Sequence, residues 1–196
     1  MDYQSAEKMI LQQLREQLPP TYFFHNWEHT ADVVAAVARL ASECGCSERE
    51  TVLLKTAALC HDTGDLRRYE RNEALGVEFA RRYLPQFGYG EPELTEIETL
   101  ILSTEFPYHP QRLLEKVLCD ADLFYILTDR FAERANRFRR ELAGRQMPLD
   151  DVAWQELETK FLHKITYYTD YCRNLYRQLK PLRLAALEKI CRSTQP

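Results

Sequence analysis

The sequence predicts an all-α protein, a helical bundle. Glycine is scarce, at 6 residues in 196. Long stretches are rich in Leu, Ala, Glu and Arg, and apolar residues recur at three- and four-residue spacing between proline and glycine stops. With 45% hydrophobic and 29% charged residues, the chain has the composition of a globular protein with a sizeable core. Its length suits one domain carrying C-terminal helices.

Each element follows from local chemistry. Residues 4–18 form an amphipathic helix with Met9, Ile10, Leu11, Leu14 and Leu18 on its apolar side, ended by Pro19-Pro20. A second helix, about 26–44, carries the stripe His29, Val33, Ala36, Val37 and Leu40, with Gly45 as its C-terminal cap. Ser47-Glu-Arg-Glu50 is a capping-box pattern that starts a third helix running to about His61, where Gly64 permits a sharp exit. A fourth helix spans about 72–84, stopped by Pro85, and a fifth 92–103, with Pro92 in its first turn. Phe106-Pro-Tyr-His-Pro110 is a loop. Two short helical stretches, 112–118 and 121–127, follow, then a helix at 130–143 and a break at 144–148. One long helix from 151 to 179 and a last one at 182–192, separated by Pro181, complete the chain.

A net charge of −4 argues against binding a nucleic-acid polymer. A compact anion remains admissible, because a bound dication reverses the local field. No apolar signal segment opens the sequence and no apolar run is long enough for a membrane span. The expectation is therefore a cytoplasmic protein, not membrane-bound, whose six cysteines (Cys44, Cys46, Cys60, Cys119, Cys172 and Cys191) are reduced and mostly small core residues. Oligomer formation is compatible with the sequence.

The chemistry concentrates at His61-Asp62, which closes the apolar run Thr51–Cys60. Neutral imidazole nitrogen and carboxylate oxygen together suit a divalent first-row metal. On an ideal helix adjacent residues point about 100° apart, so both can reach one ion only where the helix ends. His29 points where the core of its helix points. Alone it reads as a buried core histidine; beside His61-Asp62 and a downstream carboxylate it reads as a ligand. From the residues themselves that carboxylate is Asp120 or Asp122, the other serving as an N-cap. His25 lies one turn before His29, Asp65 three residues after the His-Asp pair, and Glu73 in the first turn of the fourth helix, where a dipole-stabilising role also fits.

The order His29…His61-Asp62…Asp122 resembles the signature of the HD-domain metal-dependent phosphohydrolases, over roughly residues 20–130. The resemblance implies an HD-domain, phosphodiesterase-like helical bundle spanning 1–196, with helices after about residue 130 covering a central site. It selects Asp122, in Ala-Asp-Leu, as the fourth ligand beside His29, His61 and Asp62. Tyr22-x-x-His25-Asn-x-x-His29 is similar to a motif of cyclic-nucleotide phosphodiesterases, in which the earlier histidine protonates the leaving oxygen. An acid at the place of Asp65 helps activate water in the nucleotidase branch. The implied activity is hydrolysis of a phosphate ester, of a nucleotide or other small phosphorylated metabolite, by water activated on one divalent ion (Mn, Fe, Co, Ni, Zn or Mg). Binuclear relatives carry further histidines after the His-Asp pair. This chain offers only His109 before Asp122, and Asn72 stands where some relatives place a histidine, so one tight ion is expected, with at most a weak second ion bridged by Asp62. Arg67 and Arg68 are the first candidates for binding substrate phosphate, ahead of Lys55, Lys116, Lys160 and Lys164. Tyr167, Tyr168, Tyr171 and Tyr176 read as helix packing, with a base-stacking wall as the sharper alternative. Two other functions stay open: an iron-dependent oxygenase in the same pocket, and a non-catalytic module that binds metal or nucleotide for regulation.

Overall fold

The computed structural model describes residues 1–69 and 71–192, and among them every regular element is helical. The helices are α1 (Tyr3–Gln17), α2 (Trp27–Glu43), α3 (Glu48–Cys60), α4 (Glu73–Tyr83), α5 (Glu91–Leu102), α6 (Leu113–Asp122), α7 (Phe131–Gly144), α8 (Asp151–Lys164) and α9 (Asp170–Arg192). Short 3-10 turns lie at Thr63–Leu66, Leu84–Phe87 and Phe124–Leu127. Helix α3 is the axis: α1, α2, α5 and α6 all pack on it, α2 also meets α6, and α4 covers α5. Ile10, Leu14, Val37, Leu40, Leu54, Leu59, Ile97, Leu100 and Leu118 are fully buried between them. Truncating one of these leucines to alanine costs about 2–5 kcal/mol. No described helix is long and apolar enough to cross a membrane.

Local signals account for most boundaries. Ser47 and Glu50 form the expected capping box of α3. Gly45 follows α2 with φ +69°, a left-handed conformation that glycine adopts without cost. Asn26 caps α2: its Oδ1 accepts from the amides of Glu28 and His29, at 3.0 and 3.2 Å. Its Nδ2 donates back to the Tyr22 and Phe23 carbonyls, which fixes the turn that carries His25 and His29.

Four expectations require correction. The two stretches expected at 112–118 and 121–127 are one helix, α6, followed by a 3-10 turn. Asp120 is accordingly inside α6 and does not cap a helix beginning at Ala121 or Leu123. The helix expected over 151–179 is broken between Lys164 and Asp170, and Pro181 lies within α9 instead of separating two helices. The reason for the break is a contact distant in sequence. The buried Asp120 carboxylate accepts from the amides of Tyr168 and Thr169, both at 2.8 Å, and from Thr169 Oγ1 at 2.7 Å. Thr169 Oγ1 in turn accepts from Cys172 N at the start of α9. These bonds favour a turn where periodicity alone favoured a helix.

Asp120→Ala should therefore lower stability by about 3 kcal/mol, since it strands the buried Thr169 amide and hydroxyl and the half-buried Tyr168 amide. Chemical denaturation measures this. A loss below about 0.5 kcal/mol would contradict the anchoring role, which lies well outside the range of neutral surface changes.

Candidate metal centre

Each prospective ligand sits at a helix end. His29 is in the first turn of α2, His61 follows the last residue of α3, and Asp122 is the last residue of α6. After His61 the backbone leaves the helix: Asp62 has φ −101° and ψ 7°, and the 3-10 turn begins at Thr63. This departure turns both adjacent side chains inward. Gly64 assists differently from the expected sharp exit. Its φ is unexceptional, but a Cβ there would lie 1.9 Å from the Asn72 carbonyl oxygen, so only glycine lets the start of α4 approach this turn.

The four side chains converge. His29 Nε2 lies 3.1 Å from Asp122 Oδ1 and 3.5 Å from Asp62 Oδ2. His61 Nε2 lies 3.2 Å from Asp62 Oδ2 and 3.5 Å from Asp122 Oδ1. One ligand atom each from His29, His61 and Asp122 falls within 4.8 Å of the others, and Asp62 abuts both imidazoles. Both histidines are buried. His61 Nδ1 donates to the Ala58 carbonyl at 2.7 Å, which fixes the ring orientation and turns Nε2 toward the cluster. His61 Nε2 and Asp62 Oδ2 are buried atoms without a hydrogen-bond partner among the described residues. Bare, converging donor atoms of this kind fit a divalent first-row ion. Tyr108 donates to the second oxygen of Asp122 at 2.6 Å and so orients it.

The charges are mutually dependent. Burial alone would raise both carboxyls. Against it, the adjacent His61 imidazole, and His29 beyond it, hold Asp62 down to about 2, and the close approach of His29 and His61 holds Asp122 well below its ordinary range. Burial would lower His61, but Asp62 and Asp122 hold it well above its ordinary value. Asp65 is buried 3 residues on. Burial, then the Asp62 charge, push it up to about 8, and Asn72 Nδ2 donates to its Oδ1 at 2.8 Å. Burial also raises Glu73.

His25 is held from an unexpected quarter. The buried Glu141 of α7 places Oε1 2.5 Å from His25 Nδ1, and its Oε2 accepts from the amides of Phe24 and His25 at 2.7 and 3.0 Å. Burial would lower the His25 pKa, yet Glu141 raises it to about 9. With Nδ1 engaged by a carboxylate, Nε2 is the nitrogen left for the cleft.

A cleft adjoins the cluster. Its polar end is lined by His25, Asp62, Asp65, Asn72, Glu73, Thr104 and Asp122. Its apolar end is a cavity of about 500 Å³ bounded by Phe24, Tyr125, Leu142, Phe138, Leu157, Glu158 and Phe161, and the two ends share a wall of His25, Tyr69, Phe106, Tyr108 and Asp122. The sequence-predicted residues His25, Asp65 and Glu73 thus lie with the four ligands. Arg67 and Arg68 do not: Arg67 pairs with Glu78 at the surface, and Arg68 donates to the Arg71 carbonyl. Lys55 lies over the Tyr3 ring, Lys160 pairs with Glu156, and His109 is exposed on another cavity. Lys164 reaches within 5.9 Å of the Phe106 ring, and Arg145 stacks on Tyr69 at 3.3 Å. The four C-terminal tyrosines do not line the cleft: Tyr167 donates to the Leu123 carbonyl, Tyr176 to that of Leu162, and Tyr168 to that of Tyr108.

Glu141, Tyr108 and Glu158 escaped the sequence reading. Glu158 is 3% exposed and its Oε2 has no hydrogen-bond partner among the described residues; burial pushes its carboxyl up to about 7 from an ordinary 4.5. Tyr125 faces it, and His25 and Asp122 share its cavity. Between pH 4.5 and 7 the unfolded chain has released this proton while the folded chain keeps it, so its burial costs stability progressively as pH rises through that window. Glu158→Gln should consequently gain about 3 kcal/mol over the parent at pH 8 and almost nothing at pH 4, read by urea denaturation. Equal effects at both pH values would contradict the buried, unpaired carboxyl.

Comparison with known proteins gives the family and the fold. The HD domain family model matches residues 26–126, which include all four prospective ligands. No curated protein sequence matches the chain. Among solved structures, Bacillus subtilis YpgQ superimposes with a TM-score of 0.70 at 20% identity, over 99% of this chain and 98% of YpgQ. YpgQ in complex with ADP gives 0.69 at 20% identity, over 98% and 97%. A predicted HD superfamily hydrolase from an uncultured Thermotogales bacterium gives 0.65 at 17% identity, over 98% and 92%. At such identities these likenesses establish the fold alone. With the family model spanning more than half of its residues, the chain belongs to the HD-domain family.

Proposed function

We propose that this protein is a divalent-metal-dependent hydrolase of phosphate esters, acting on a nucleotide or another small phosphorylated metabolite. The observation that carries this reading is the convergence of two imidazole nitrogens and two carboxylates at the polar end of a cleft that also presents His25 and Asp65. The charge of that end adds support. Its described lining sets Asp62, Asp65, Glu73 and Asp122 against one cationic imidazole, His25, and neither lysine nor arginine, so a phosphate there is favoured by a bound cation. ADP is bound to the structurally similar YpgQ, and another neighbour carries the description of a hydrolase.

His29, His61, Asp62 and Asp122 would hold the ion. When bound, a divalent ion lowers the pKa of a coordinated water and polarises a phosphoryl oxygen. Asp65, steadied by Asn72, and Glu73 flank the place where a water is oriented. His25, pinned and kept protonated by Glu141, offers Nε2–H to the leaving oxygen. Tyr108 and the Ala58 carbonyl keep Asp122 and His61 in register.

Metal-stripped protein should hydrolyse neither a generic monoester nor a diester. Separate restoration of Mn, Mg, Co, Ni, Zn or Fe(II) should bring turnover with at least one of them. Asp62→Ala should lose at least ~100-fold of that turnover. Silence with every metal, despite a folded, metal-bound protein, would overturn the hydrolase reading; oxygen consumption by the iron form would replace it with an oxidative one.

His25→Gln should lower kcat by about 10²–10⁴-fold while leaving metal affinity within a few-fold. Glu141→Gln should lower kcat in the same direction by less, since Glu141 acts through His25. Unchanged kcat in both variants would remove His25 from the reaction.

A further inference from the structure

The cleft is chemically divided. One end is polar and anionic, the other aromatic, and Asp122 and Tyr108 stand on the wall between them. Beyond that wall the apolar end contains, among the described residues, a single acidic or basic side chain, Glu158 of α8. It is nine-tenths buried and more, accepts no hydrogen bond from any described residue at Oε2, and has no ion-pair partner among the described residues. A buried carboxyl without a partner is costly, and a leucine or glutamine would fill the same space at less cost. Packing therefore gives no account of it. A donor brought in by a ligand does.

The walls restrict what that ligand is. The rings of Phe24, Phe106, Tyr125, Phe138 and Phe161 enclose the space, and flat π-systems stack on such walls. A sugar would meet too few polar groups there. A purely apolar ring would leave Glu158 unpaired. A planar ring with N–H donors satisfies both the rings and the carboxylate, whose two oxygens only accept when ionised.

We propose that the apolar end is a recognition subsite for a planar, N–H-bearing ring such as an amino-substituted nucleobase, with Glu158 as the residue that accepts its donors. The phosphate of the same molecule would lie at the polar end; this assignment rests on the phosphate-ester reading above and narrows its substrate to a nucleotide.

The test is calorimetric binding to the full chain loaded with the metal that supports binding, using ligands that differ only at the ring. Guanosine 5′-monophosphate presents ring N–H and amino donors. Purine riboside 5′-monophosphate keeps the ring without an N–H donor, and ribose 5-phosphate lacks the ring. The guanine nucleotide should bind at least ten-fold tighter than either. Glu158→Gln should lose most of that advantage while binding ribose 5-phosphate as the parent does. Equal affinities for the three ligands, or equal weakening of all of them by Glu158→Gln, would overturn the subsite. The ligand series on the unmodified protein decides the matter independently of the variant. Guanosine without phosphate separates the two readings: donor-dependent binding in a protein that hydrolyses no ester would keep the subsite and discard the hydrolase, whereas turnover of all esters alike would do the reverse.

Discussion

Each of two imidazoles is brought within 3.1–3.5 Å of each of two carboxylates at a buried junction of three helices, and most of the architecture serves that encounter. Charges removed from water must be paired, and removing one partner from such a set is costly because the others are left uncompensated. Helix ends are suited to the task. Within a regular helix His61 and Asp62 would diverge; where α3 gives way to a 3-10 turn they face the same point. Asn26 fixes the start of α2 and with it His29, and the end of α6 delivers Asp122. The apolar packing of α2, α5 and α6 on α3 sets these three ends against each other.

Around this core the C-terminal helices supply what the motif-bearing helices lack. Helix α7 contributes Glu141, which grips His25 from across the cleft and keeps its imidazole cationic. Helix α8 contributes Leu157, Glu158 and Phe161 to the aromatic end. Asp120, two residues before a prospective ligand, ties the turn between α8 and α9 to α6. The segment that shapes the cleft is thus fastened to the segment that carries the metal chemistry. Positioning of this kind matters because catalysis depends on small displacements at the reacting groups.

The sequence disclosed the helical class, most helix boundaries and the candidates His29, His61 and Asp62, because each leaves a local mark: a capping box at Ser47, a stripe through His29, an apolar run ending in His61-Asp62; Asp122 was separated from Asp120 only by the family resemblance. It concealed whatever depends on contacts between distant residues. Glu141 sits in an Arg-rich stretch that reads as a solvated face, yet it is fully buried against His25, 116 residues away. Glu158 likewise falls among charged residues of α8 and gives no sign of burial. The break at 165–169 was illegible because its cause is Asp120, and Arg67 and Arg68 looked well placed only by their proximity in sequence to Asp62. Pro181 within α9 shows the opposite case, a local stop overridden by the helix around it.

The measurement that bears most directly on this account is pulsed EPR of the Mn(II)-loaded protein, which reads nitrogen nuclei bound to the ion. The account predicts couplings from two imidazole nitrogens in the parent chain and from one in His61→Ala. Mn(II) bound without nitrogen couplings, or couplings unchanged in that variant, would show that the ion is held elsewhere and would contradict the assignment of His29, His61, Asp62 and Asp122 as its ligands.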